Sequence, residues 1–219
     1  MKTTASVSNH KHQLFNLDFS PAATSNPQAA REIASIRDWC LRRADEWYAR
    51  GELGAARDFL KQAADVDPHD AHIWVALGSL HYQLGEYERA GLAFVKAGEL
   101  DPTDGEIFLQ LALTHQQLGQ DREAENIFRH AITLSPENPL AQSLFSGFLF
   151  TRERYDEARE YVEGALEDRP DDLELLMRLG VCCARTNDRH AAQACFERVL
   201  KLDPTNDIAR ENLMAIRAA

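Results

Sequence analysis

Five prolines constrain this chain more than any other feature. Pro68, Pro102, Pro136, Pro170 and Pro204 each follow the last by 34 residues (102 − 68, 136 − 102 and so on). A period held over five occurrences without slippage marks stacked copies of one supersecondary unit. The expected fold is therefore an array in which each copy meets its neighbours, rather than a single globule.

The stretch from Ala71 to Asp104 shows what the unit is. It carries Trp74-x-x-Leu77-Gly78-x-x-His81, then Ala90, Phe94, Ala97 and Pro102. This resembles the tetratricopeptide (TPR) pattern W-x2-L-G-x2-Y…A-x3-F…P, a helix–turn–helix unit, with His81 at the Tyr position. The same frame fits residues 37–70, 105–138, 139–172 and 173–206 without insertion, and 207–219 supply one more first helix. The resemblance implies an all-α fold, a right-handed superhelical solenoid of antiparallel helix hairpins, with five repeats and a C-terminal capping helix. The expected TPR domain covers residues 27–219, behind an N-terminal arm of residues 1–26.

Residue types at fixed places in the unit have physical reasons. The eighth position is Ala44, Gly78, Ala112, Ser146 and Gly180, and the twentieth is Ala56, Ala90, Ala124, Ala158 and Ala192. Small residues there let the two helices of a hairpin approach closely, while Trp74, Leu77, Phe94 and their equivalents fill the remaining space. Gly51, Gly85, Gly119 and Asn187 stand where a first helix reverses into a second, a place that favours left-handed backbone. Glu153 holds that place in the fourth unit and fits it least. The residue before each proline is pushed out of helical geometry, which ends each second helix. At the C-terminus, Ile208, Leu213, Met214 and Ile216 are expected to form an apolar stripe, with Arg210, Glu211 and Arg217 outward.

Residues 1–26 follow a different rule. They are rich in Ser, Thr, Asn and Ala, show no helical period and are expected to be disordered or loosely packed. One apolar island, Leu14, Phe15, Leu17 and Phe19, either packs on the array, in cis or across a homodimer, or stays mobile. Asn26-Pro27 reads as a helix start, cap then first-turn proline, of a long helix running to Arg50.

Composition narrows the function classes. With 219 residues, 44% hydrophobic, and a formal net charge of −11, the chain is a poor partner for nucleic acid, which needs a basic surface. No run approaches the ~18 apolar residues of a membrane span, and the N-terminus lacks the apolar core of a signal peptide, so the expected location is cytoplasmic. Cys40, Cys182, Cys183 and Cys195 fall at or near inward helical positions and read as small buried hydrophobes. The chain has no Gly-x-Ser-x-Gly, phosphate-cradling glycine loop, His-Glu-x-x-His or Cys-x-x-Cys, so neither catalysis, a cofactor nor a metal is expected. His10 and His12 lie in the arm; His81 and His115 replace aromatic core residues, or else approach one another.

What the resemblance leaves is a binding surface. In TPR proteins the first helices line a concave groove for a peptide segment. By the family frame, the groove candidates here are Leu41, Tyr48, Val75, Tyr82, Leu109, Leu113, Leu144, Phe150, Met177, Arg178 and Val181. The Lys/Asn/Arg constellation by which chaperone-cofactor TPRs clamp a C-terminal carboxylate is absent. Its fifth and ninth positions are instead Leu41, Val75, Leu109, Ser143, Met177 and Asp45, Ser79, Leu113, Gly147, Val181, so an Hsp70/Hsp90 tail binder is not expected. The apolar candidates form a second stripe beside the core stripe. They either pack between neighbouring first helices or receive an apolar or aromatic segment of a partner. The expected function is a non-catalytic adaptor, chaperone-like in binding such a segment. The alternative is a structural subunit of a larger assembly such as a bacterial secretion apparatus.

Overall fold

The computed structural model describes residues 27–218; the expected N-terminal arm, including its apolar island, and Ala219 lie outside the described residues. Every regular element among the described residues is an α-helix. They are α1 (Pro27–Ala49), α2 (Leu53–Val66), α3 (Ala71–Gln83), α4 (Tyr87–Leu100), α5 (Gly105–Gln117) and α6 (Asp121–Leu134). There follow α7 (Pro139–Phe150), α8 (Tyr155–Asp168), α9 (Leu173–Arg185), α10 (Arg189–Leu202) and α11 (Asp207–Ala218). The chain divides into two compact units, one ending at Ala124 and one beginning at Glu125, so that the division falls within α6.

Local chemistry sets the helix ends. Gly51, Gly85 and Gly119 reverse the chain with φ of 78°, 74° and 70°, and Glu153 and Asn187 adopt the same left-handed backbone with φ of 58° and 63°. The first helices begin on a side-chain cap at the last position of the preceding unit. Asp70 accepts from His72 N–H, Asp104 from Glu106, Asn138 from Leu140 and Ala141, and Asp172 from Glu174 and Leu175. Each cap satisfies amide donors that a helix start leaves without a partner.

In the first unit α1 packs on α2 and α3 on α4. The extension of α1 ahead of the repeat frame contributes Ile33 and Ile36 to a core with Cys40, Ala44, Leu60, Ala63, Ile73 and Leu77. The close approach inside a hairpin is explicit at Gly78, where a Cβ would lie 2.7 Å from the Phe94 ring. The side chain at the eighth position is thus limited by the ring at the twenty-fourth. Trp74 turns its indole N–H to the Pro68 carbonyl at 2.9 Å, tying the first helix to the proline that precedes it.

In the second unit α7 packs on α8 and α9 on α10, and α11 lies on α10. Phe128, Phe145 and Phe148 form a buried aromatic cluster with Tyr161 edge-on to Phe145 at 4.8 Å. Gly180 repeats the Gly78 geometry, its missing Cβ 2.7 Å from the Phe196 ring. On α11 the expected stripe is corrected. Ala209 and Leu213 are buried and Ile216 half-buried, whereas Ile208 and Met214 are exposed. Positions 209, 213 and 216 follow the i, i+4, i+7 spacing of one face, and 208 and 214 fall outside it.

Candidate functional site

The polar groups near the hairpin reversals are used structurally. His81 is buried and its Nδ1 lies 2.5 Å from Glu86 Oε2; His115 Nδ1 lies 2.6 Å from Gln120 Oε1. Each histidine is therefore engaged by the start of its own second helix. The hydrogen bond from His81 is the main cause that lowers the Glu86 pKa, with Arg89 adding to it. The cysteines are free and buried; burial pushes Cys40, Cys182 and Cys195 up to about 11, which keeps them as unreactive thiols at neutral pH. No group of three His, Cys, Asp or Glu among the described residues could hold a metal ion.

The expected groove residues of the first unit are largely engaged by the chain itself. Leu41 packs against the buried core, and Val75 and Leu113 are half-buried. Tyr48, 48% exposed, donates its hydroxyl to Gln83 Oε1 at 3.1 Å. One repeat on, Tyr82 stands edge-on to Tyr87 at 5.2 Å; burial raises its pKa, offset by a hydrogen bond with Gln117. Tyrosine at the twelfth position thus pairs with glutamine at the thirteenth position of the next repeat. Leu109 corrects the expectation of a groove surface, because it is only 1% exposed. The first helices α3 and α5 touch, and α5 buries Ile107, Leu109, Leu111, Ala112 and Thr114 on more than one side. Leu109 therefore fills space between helices.

The second unit differs. Phe150, Met177, Arg178 and Val181, all expected groove residues, come together with Gly147, Thr151 and Glu174 around an open cleft of about 360 Å³. Leu144, on the same helix as Phe150, is half-buried and does not line it. The floor is apolar and its one anchored cation is Arg178, 14% exposed in its side chain. Arg178 Nη1 donates to Ser143 O and Ser146 Oγ, both at 2.8 Å, and Nη2 to Glu174 Oε1 at 2.5 Å. Gly147 makes room for this group, since a Cβ there would lie 3.4 Å from the guanidinium. At the far end Phe150 meets Tyr155 edge-on at 5.6 Å, and the Arg185 guanidinium lies 5.5 Å from the Tyr155 ring. Gly147, Thr151 and Glu174 occupy groove positions in the repeat frame. Their side chains give little signal in the sequence: Gly147 acts through the space it leaves and Glu174 by capping a cation.

Comparison with known proteins agrees with this geometry at the level of the repeat. The family model described as the cytochrome c-type biogenesis protein H TPR domain matches residues 28–166, and a tetratricopeptide-repeat model matches 149–216. The Hsp70-Hsp90 organizing protein of Triticum aestivum is 33% identical over 92 residues, 42% of this chain and 16% of its own length. Among solved structures, MamA (residues 41 to the end) from Desulfovibrio magneticus RS-1 superposes with a TM-score of 0.70 at 20% identity, covering 78% of this chain and 97% of its own. YrrB, described as a TPR protein with an unusual peptide-binding site, gives 0.65 at 22% identity over 78% of this chain and 89% of its own.

Proposed function

The chain belongs to the tetratricopeptide-repeat family, and on that premise we propose that it is a non-catalytic adaptor, chaperone-like in holding an apolar segment of a partner protein on the face of its first helices. The observation that carries this is the cleft of about 360 Å³ walled by Phe150, Met177 and Val181, which the side chains of the described residues leave open. Apolar walls with one or two placed polar groups are the usual form of a site that grips a side chain. A peptide-binding site is also the feature by which YrrB is described. No helix among the described residues is long and apolar enough to cross a membrane, and the reading places the chain in the cytoplasm with protein partners.

The test is a titration of the full chain with peptides that carry a single Phe in a Gly/Ser background. Val181→Asp places a charge in the cleft and removes the binding, and Phe150→Ala weakens it roughly tenfold, the scale of a single buried anchor. Equal affinity for wild type and both variants rejects the cleft.

A second reading, a structural subunit of a larger assembly, has one observation in its favour. Leu92 and Val95 on α4 are 73% and 45% exposed. The corresponding residues of the other second helices are Asp58 and Lys61, Asn126 and Arg129, Glu160 and Glu163, and Ala194 and Glu197. An apolar pair confined to one second helix suits a contact outside the cleft. Leu92→Asp disrupts a complex built that way and leaves peptide binding in the cleft unchanged.

A further inference from the structure

Resting on that reading, we propose that the cleft takes an extended acidic segment, in which one apolar side chain sits between two carboxylates four residues apart, all three on one face of the segment. The carboxylates meet Arg178 and Arg185, and the apolar side chain meets Val181 and Phe150.

The spacing comes from α9. Arg178, Val181 and Arg185 follow the i, i+3, i+7 pattern of one helical face. Seven residues at about 1.5 Å of rise separate the two arginines by about 10 Å along the axis; in an extended chain residues i, i+2 and i+4 share one face and span about 13 Å, a difference that the long arginine side chains take up. Val181 lies between them and lines the cleft with Phe150. Arg185 stands beside Tyr155, which is edge-on to Phe150, so the second guanidinium adjoins the aromatic wall. Among the described residues no carboxylate lies within ion-pair distance of Arg185, and its contact there is the Tyr155 ring.

Arg178 adds a second argument. Its Nη1 is fixed by Ser143 O and Ser146 Oγ, so the guanidinium is held in place before any partner arrives. Its one carboxylate, Glu174, is 79% exposed in its side chain and contacts only the outer nitrogen. Glu174 therefore stands where a partner's carboxylate would stand and competes with it. The planar fork of arginine suits a carboxylate newcomer. The chain as a whole carries a net charge of −11, so an acidic partner is repelled at long range, and these two cations make the cleft the exception.

Three labelled peptides with one flanking sequence test this on the full chain by fluorescence anisotropy: Asp-Ala-Phe-Ala-Asp, its isosteric Asn-Ala-Phe-Ala-Asn, and Asp-Ala-Ser-Ala-Asp. The first binds roughly tenfold more tightly than the second at low salt, and the gap closes as salt screens the charges. Glu174→Gln tightens the acidic peptide roughly 2- to 5-fold, the range expected for removing an exposed ionic competitor. Arg185→Gln weakens the acidic peptide and leaves the Asn peptide unchanged. Equal binding of the Asp and Asn peptides, or a Glu174→Gln chain that binds no better, overturns the acidic specificity. In that case binding that still requires the Phe leaves the adaptor reading standing. No binding of any peptide, with Val181→Asp indistinguishable from wild type, overturns both.

Discussion

Glu153 carries a conformation that its side chain opposes. At φ 58° it sits in left-handed backbone, which costs a residue with a Cβ roughly 1–2 kcal/mol, where three of the other reversals use glycine. Glu153→Gly relieves that strain and loses part of the gain to unfolded-chain entropy, for a net stabilisation of about 0.5 kcal/mol; Gly85→Ala, at φ 74°, costs about 1 kcal/mol. Urea unfolding of the two variants gives opposite shifts if the strain account holds, and shifts of the same sign refute it. Close packing sets the second residue-level expectation. A Cβ at Gly180 meets Phe196 at 2.7 Å, so the ring must shift slightly to admit even a methyl group. Gly180→Ala therefore costs about 1 kcal/mol and Gly180→Leu about 3 kcal/mol or more, read from the same unfolding curves.

Elements are joined by charge as well as by packing. The twenty-first position of one repeat meets the sixteenth of the next. Arg57 pairs with Glu86 at 3.4 Å, Glu125 with Arg154 at 2.6 Å and Arg159 with Asp188 at 3.0 Å. The sign reverses at Glu125–Arg154, while Gly91 and Gln120 hold the same two places with no charge. Arg154 also pairs with Glu157 at 2.6 Å, and its hydrogen bonds are the main cause that lowers the pKa of both Glu125 and Glu157. A carboxylate whose pKa falls on folding stabilises the fold above the ordinary carboxylate range and loses that contribution as the pH drops through its lowered folded-state value. Arg154→Met then costs about 1 kcal/mol near neutral pH, the upper range for part-exposed pairs, and the difference from wild type shrinks in acid. Thermal melts of both chains across pH check the sign, and a difference that grows in acid contradicts it.

At the scale of the whole molecule, the repeat was legible because it is written one residue at a time. The five periodic prolines, the small residues at the eighth and twentieth positions and the chain reversals could be placed by counting, down to Glu153. The long first helix was legible from Asn26-Pro27, and it starts at Pro27 and ends at Ala49. The candidate site was legible only in part. Phe150, Met177, Arg178 and Val181 gather around one cleft, while Leu109 is buried and Tyr48 bonds Gln83. A face defined by helical spacing does not say whether a neighbouring helix already covers it. That depends on how closely first helices approach, as at α3 and α5, and on a glycine such as Gly147, whose effect is the space it leaves.

The central claim is that partners are held by the first-helix cleft of the second unit. The most direct test is an NMR titration of the full isotope-labelled chain with the tightest peptide selected from an unbiased library against it. The account predicts amide shifts concentrated on Gly147, Phe150, Thr151, Met177, Val181 and Arg185, abolished in Val181→Asp. Shifts concentrated on the second helices α4, α8 or α10, with Val181→Asp binding as wild type does, would contradict it.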